Sequence, residues 1–107
     1  MTDEEDREKL YLAMIEQVPD SALPWFSLGR FYLETGSYQK AADALRRCTQ
    51  LQANYAAALF ALGEACVGAG QTAEAREAFA QCQRAALAQN HPSLAEEAAE
   101  KERELPA

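Results

Sequence analysis

The stretch that decides the fold is Trp25-Phe26-Ser27-Leu28-Gly29-Arg30-Phe31-Tyr32, followed further along by Ala41 and Leu45. Much of this pattern returns after a shift of 34 residues. The equivalent residues of the second copy are Leu59, Leu62, Gly63, Ala75 and Phe79, and two further pairs are Gly36 with Gly70 and Cys48 with Cys82. A fixed period of this length is typical of repeated helical units. The sequence therefore predicts an all-α chain of stacked helix hairpins.

The first copy, over residues 21–54, has the start and stop signals of two helices. Ser21 is an expected N-cap, and Pro24 lies in the first turn, where proline is tolerated. Apolar residues then recur at helical spacing. Gly36 is expected to end the first helix, and the second helix is expected to begin near Ser37. The two helices are predicted to form an antiparallel hairpin.

The second copy, over residues 55–89, repeats this arrangement. Asn54 is the expected N-cap of its first helix, and Gly70 is expected to end that helix. Gly29 and Gly63 occupy equivalent positions inside helices, where glycine costs about 1 kcal/mol relative to alanine. We therefore expect a neighbouring backbone to approach both glycines closely.

Two further helices are predicted outside the repeats. Residues 3–18 carry apolar side chains at helical spacing and precede Pro19, which suggests the second helix of a half-repeat. Ser93 followed by Glu96 is a capping-box pattern that predicts a last helix over residues 93–105. Its glutamate-rich surface suits the polar cap that a helical stack needs at its end. The chain is thus predicted to be one domain of about six helices.

The charge of the chain argues against two classes of partner. The net charge is −7, from 17 acidic and 10 basic residues. Residues 1–9 and 96–104 each hold five acids and two bases, so the acidic excess lies on the two flanks. Nucleic-acid binding requires clustered Lys and Arg. An anionic membrane surface would repel the flanks. We therefore expect neither a nucleic acid nor a membrane as partner.

The predicted location is the cytoplasm. The sequence has no apolar run long enough to span a bilayer and no signal-peptide pattern at its N-terminus. Its three cysteines, Cys48, Cys66 and Cys82, are an odd number without paired spacing, which favours a reducing compartment.

The segment from Trp25 to Tyr32, with Ala41 and Leu45, resembles the signature of the tetratricopeptide-repeat family. The likeness covers residues 10–89 well and the flanks more loosely. The departures are Cys66 in place of a tyrosine, Ala53 and Leu87 in place of a proline, and Glu97 in place of a glycine. The resemblance implies a right-handed α-α superhelix that forms one domain over residues 1–107.

The resemblance also implies which residues line the concave surface. They are Leu23, Phe26, Ser27, Arg30, Leu33 and Glu34 from the first copy, and Ala57, Phe60, Ala61, Glu64 and Val67 from the second. The two Phe should lie side by side, as should Arg30 and Glu64. The expected function is to bind a peptide or helix of another protein in this groove. The alternatives are that the two Phe rings pack against each other or against the chain's own last helix, or that the same face mediates homodimerisation.

One established function of the family is not expected. Some members hold acidic C-terminal tails with a clamp of lysines, asparagines and an arginine. The corresponding positions here are Phe26, Arg30 and Ala61, and Lys and Asn are absent from them.

No catalytic, metal or cofactor site is predicted. Nucleophilic catalysis needs a base near the nucleophile, and the single histidine, His91, stands beside Pro92 at a helix break. The cysteines fall on the predicted helix contacts, where core packing is expected. Three cysteines and one histidine without a closely spaced pair do not suggest a zinc site.

Overall fold

The computed structural model describes residues 2–107, and that part of the chain contains six helices and no strand. The helices are α1 (Asp3–Gln17), α2 (Ala22–Glu34), α3 (Tyr38–Leu51), α4 (Ala56–Gly68), α5 (Thr72–Ala88) and α6 (Pro92–Arg103). Each helix packs mainly on its sequence neighbours, and α2 also contacts α4. The hairpins α2–α3 and α4–α5 correspond to the two sequence copies. The predicted all-α stack of hairpins is confirmed.

Three of the helix ends have the same left-handed turn. Gly36 and Gly70 have φ values of 78° and 77°, which glycine adopts without steric cost. The amide of Ser37 then donates to the carbonyl of Tyr32 at 2.8 Å, as in a Schellman motif. Asn90 adopts the same left-handed conformation after α5, with a φ of 63°. These turns reverse the chain and make the tight stack possible.

Two predicted helix starts are wrong. Asn54 does not cap α4, because the N-cap position is occupied by Tyr55. The capping box of Ser93 does not form either, since His91 is the N-cap of α6 and Pro92 is its first residue. Proline is favoured at the first helical position because its fixed φ suits a helix and its missing N–H costs nothing there. As a result α6 starts earlier than predicted, and it also ends earlier, before residue 105.

The core lies between the helices of the hairpins. Its largest fully buried side chains are Phe79, Leu45, Leu59, Cys48, Cys66 and Cys82. A Cβ atom added to Gly29 would lie 2.5 Å from Leu45 Cγ, and one added to Gly63 would lie 2.5 Å from Phe79 Cε1. Both glycines are closely approached, but the approaching group is a core side chain of the partner helix and not the predicted backbone.

An ionic contact between α3 and α5 links the two hairpins. Arg46 on α3 binds Glu74 on α5 through Nε to Oε2 at 2.6 Å, and it also binds Asp43 at 2.7 Å. Its Nη2 donates to Gln71 Oε1 at 2.9 Å. The hydrogen bond from Arg46 lowers the pKa of the Glu74 carboxyl. The contact's contribution to stability is therefore present above the carboxyl's ordinary pKa and is lost as the pH falls through the lowered value.

The half-repeat helix α1 is held to α2 by polar contacts. The hydroxyl of Tyr32 donates to Glu8 at 2.6 Å, and Arg7 pairs with Glu34 at 3.3 Å. Burial and, secondarily, the hydrogen bond with Glu8 raise the pKa of Tyr32 to about 12. The Tyr32 hydroxyl therefore stays protonated, and able to donate to Glu8, further into the alkaline range than an ordinary tyrosine would.

Candidate functional site

A cleft of about 460 Å³ is lined mainly by residues of α2 and α4, with one residue each from α3, α5 and α6. Its lining residues are Arg30, Leu33, Glu34, Tyr38, Glu64, Val67, Gly68, Phe79 and Lys101. Val67 and Tyr38 are the most exposed apolar side chains among them, at 48% and 41%. The cleft therefore combines an accessible apolar wall with charged side chains of both signs.

The structure brings five of the predicted groove residues together in this cleft, namely Arg30, Leu33, Glu34, Glu64 and Val67. Of the rest, Leu23 is 57% exposed and lies nearer the N-terminal end of α2. Phe26 and Ser27 are half-buried on the same helix. Their part in binding remains a prediction.

The two phenylalanines do not form the expected pair. The ring of Phe26 packs on Tyr55 with centroids 4.9 Å apart, and the ring of Phe60 packs edge-on against Phe79 at 5.5 Å. Both rings are half-buried. They therefore serve mainly to join helices within the chain, but their ring contacts are neither with each other nor with the last helix, which were the two intramolecular alternatives considered from the sequence.

Ala61 is not part of the accessible surface, because its exposure is 0%. Helix α4 is enclosed by α2, α3 and α5, so more of its circumference is buried than that of an outer helix. Ala57, one turn earlier, is exposed. The prediction that the Ala61 side chain lines the groove is thus wrong.

Arg30 and Glu64 line the same cleft but do not form the expected charged pair. Among the ion pairs closer than 4 Å within residues 2–107, none includes either residue. The neighbouring Glu34 instead forms an ion pair with Arg7 of α1. Arg30 and Glu64 are therefore both available to a ligand.

Four lining residues were not predicted from the sequence to line the groove, namely Tyr38, Gly68, Phe79 and Lys101. Lys101 lies one 34-residue period after Val67, which itself lies one period after Leu33, so the repeat spacing could have indicated it. Tyr38 and Gly68 had no such signal, because they come together only in three dimensions. The ring of Tyr38 rests directly on Gly68, where any Cβ atom would collide with it.

The cysteines have no reactive environment. All three are buried and free, and burial raises the pKa of each thiol to about 11. His91, at the N-cap of α6, is exposed. Across residues 2–107, no group of His, Cys, Asp or Glu side chains is arranged to hold a metal ion.

We expect the three thiols to resist modification in the folded protein. At pH 8, a disulfide-exchange reagent such as DTNB should react with none of them within minutes, because the thiolate is scarce and the sulfur is enclosed. Addition of 8 M urea should release about three equivalents at once. Rapid reaction of one thiol without urea would show that the corresponding part of the core is open.

The fold and cleft define a helical-repeat protein with a concave interaction surface. Family models described as tetratricopeptide repeat match residues 23–65, which span the first hairpin and most of α4, and residues 56–89, which coincide with the second hairpin. The chain belongs to the tetratricopeptide-repeat family, and its predicted right-handed superhelical fold is confirmed. None of the described helices is both long and apolar enough to cross a membrane.

A curated relative is the TPR repeat-containing protein PA0015 of Pseudomonas aeruginosa. It is 40% identical over 68 residues, which are 64% of this chain and 65% of the relative. The match thus spans just under two thirds of that protein's length.

Two solved structures illustrate the likeness of the fold. Protein BPP2914 from Bordetella parapertussis is 28% identical, with a TM-score of 0.75 over 90% of this chain and 84% of its own. PcrH, solved in complex with the chaperone-binding region of PopD, is 22% identical, with a TM-score of 0.87 over 94% of this chain and 76% of its own. The second likeness concerns the fold alone.

Proposed function

We propose that this protein is a cytoplasmic interaction module without catalytic activity, and that it binds a peptide or helical segment of another protein in its concave cleft. The observation that carries this proposal is the cleft itself, where Val67 and Tyr38 remain exposed between unpaired charged residues. Surfaces that combine exposed apolar and aromatic groups with arginine are typical of binding sites. The complex of PcrH with a region of PopD gives a precedent on the same fold.

The cleft has enough apolar surface for a modest affinity. Burying a whole Val or aromatic side chain contributes about 1.5–3 kcal/mol, and here about half of each of Val67 and Tyr38 remains to be buried. Much of such a gain is offset by the loss of rigid-body freedom on association. The charged residues around the cleft are therefore expected to determine which partner is chosen.

Val67→Asp is expected to abolish capture of the partner from a native cell extract. The substitution places a charge on the apolar wall, while 48% exposure of Val67 lets the folded state tolerate it. Leu87→Asp is the matched control, because Leu87 is 64% exposed on α5 and lies outside the cleft. Equal capture by wild type and both variants would contradict binding in the cleft. Phe60→Asp is less informative, since Phe60 packs on the buried Phe79.

Self-association is a second candidate function, and α1 provides the observation that favours it. Leu10 and Met14 are 57% and 36% exposed, while the residues one period later, Ala44 and Cys48, are buried. The face of α1 that carries Leu10 and Met14 is therefore left uncovered, whereas the equivalent face of α3 is buried. If this face joins two copies, light scattering should give a dimer mass that Leu10→Asp converts to the monomer mass and Val67→Asp leaves unchanged.

A further inference from the structure

Helix α1 carries a contact face that the other helices of residues 2–107 leave largely open. The face consists of Leu10 and Met14, which are 57% and 36% exposed, and of Tyr11 between them, which is half-buried. The residues one 34-residue period later on α3 are all buried, namely Ala44, Leu45 and Cys48. In α3 this face meets the first helix of the same hairpin, and α1 has no such helix before it in the described chain. The α1 contact face is therefore half of a hairpin interface.

In both full hairpins, a glycine of the first helix completes this interface. The side chain of Leu45 lies on Gly29, and that of Phe79 lies on Gly63, so closely that a Cβ atom at either glycine would collide with it. Tyr11 stands at the same repeat position as Leu45 and Phe79. A helix that covers the α1 contact face in the same way therefore needs a glycine where it meets Tyr11.

The second hairpin also indicates the direction of the missing helix. Cys82 stands at the repeat position of Met14, and its thiol donates to the carbonyl of Ala56 at 3.4 Å. Ala56 is the first residue of α4, whose glycine at the contact, Gly63, comes later along the helix. An incoming helix would accordingly meet Met14 with its first turn and Tyr11 with its glycine, and it would run antiparallel to α1.

We propose that α1 binds a helix of another protein that carries a glycine within its apolar face, and that this helix completes the half-repeat. The glycine receives the ring of Tyr11, and large apolar side chains beside it pack on Leu10 and Met14. Insertion of an amphipathic helix against an apolar surface is a common mode of recognition. The α1 contact face goes beyond the proposed function, because none of its residues lines the cleft.

A second folded copy of this chain does not offer such a helix. Helix α1 contains no glycine, so two α1 helices would have nowhere to receive Tyr11. Of the five glycines in the chain, three are covered by side chains of another helix, and Gly36 and Gly70 follow the ends of helices. The outer helix at the opposite end, α6, has Glu97 at the glycine position. The ligand must therefore be a different polypeptide.

The test uses the sequence of α2 as the ligand, since α2 has the required glycine once it is freed from the fold. A labelled synthetic peptide of residues 22–34, with a lysine tail for solubility, is titrated with the full chain and followed by fluorescence anisotropy. The same peptide with Gly29→Leu should bind with a Kd about tenfold higher or more, because the added side chain overpacks the contact. Leucine is also the better helix former, so weaker binding would not reflect a loss of helix content.

Variants of the protein locate the bound peptide. Leu10→Asp and Met14→Asp should each raise the Kd about tenfold or more, because binding would bury an unpaired charge. Leu12→Asp is the matched control, since Leu12 is 47% exposed on the same helix but stands one period before Arg46, which faces α5. It should change the Kd less than twofold. Val67→Asp in the cleft should also change it less than twofold, so failure of the cleft and failure of the α1 contact face are distinguishable.

Four results would overturn the binding of a glycine-bearing helix at α1. These are the absence of peptide binding to wild type, equal binding of the Gly29→Leu peptide, and equal effects of Leu10→Asp and Leu12→Asp. The fourth is a Kd raised by Val67→Asp and not by Leu10→Asp, which would place the peptide in the cleft. Light scattering of wild type that gives a dimer mass, together with no peptide binding, would assign the α1 contact face to a second copy.

Discussion

Phe79→Ala is expected to lower the free energy of unfolding by about 3–5 kcal/mol, the usual cost of removing a buried aromatic ring from a core. Phe79 is fully buried on α5, where its ring covers Gly63 of α4 and meets the edge of Phe60. Glycine offers no side chain that could move into the space left behind. For a domain of this size the loss is a large part of the total stability. Urea unfolding followed by circular dichroism measures it.

The control for this prediction is Leu87→Ala on the same helix. Leu87 is 64% exposed, so its truncation should change the free energy of unfolding by no more than about 0.5 kcal/mol. A comparable loss for both variants would mean that burial does not distinguish these positions, and that the α4–α5 hairpin does not pack as described.

Gly63→Ala has the second largest expected effect, although alanine is the better helix former. The new Cβ would lie 2.5–2.7 Å from three atoms of the Phe79 ring, which is enclosed and has no free volume to enter. Overpacking of this kind destabilises by about 1–3 kcal/mol, and the higher helix propensity of alanine offsets about 1 kcal/mol of that loss. A net destabilisation of about 1–2 kcal/mol should appear as a lower urea midpoint.

Gly68→Ala gives the contrasting result at an equally crowded position. Its Cβ would meet the ring of Tyr38, but that ring is 41% exposed and can move into solvent. The stability should therefore stay within about 0.5 kcal/mol of wild type. If Gly68→Ala destabilised the protein more than Gly63→Ala does, the ability of the neighbouring ring to move could not explain the cost of adding a Cβ atom.

The hairpins could be predicted from the sequence because their signals are local and repeated. Gly36 and Gly70 supply the left-handed turns, and the glycines beneath Leu45 and Phe79 mark close helix contacts. Each copy supports the interpretation of the other. The helix starts were harder to predict, because α6 begins at Pro92 and not after the capping pattern of Ser93.

The candidate site was predictable only in part. Leu33, Val67 and Lys101 share the 34-residue period, so the repeat indicates their common face. Whether a residue on that face is accessible depends on its neighbours in the stack. Ala61 is buried because α4 is surrounded, and Tyr38 reaches the cleft because Gly68 leaves room for its ring. Such contacts depend on tertiary packing and leave no local pattern.

The central claim is that the concave cleft binds another protein, and site-specific photo-crosslinking in living cells tests it most directly. A benzoylphenylalanine placed at Val67 would report from the cleft, and one at Leu87 from the exposed surface of α5. We predict one heterologous crosslinked protein at position 67, absent at position 87, whose purified form binds wild type and not Arg30→Glu. Crosslinks that are equal at both positions, or that join only copies of this chain, would contradict the claim.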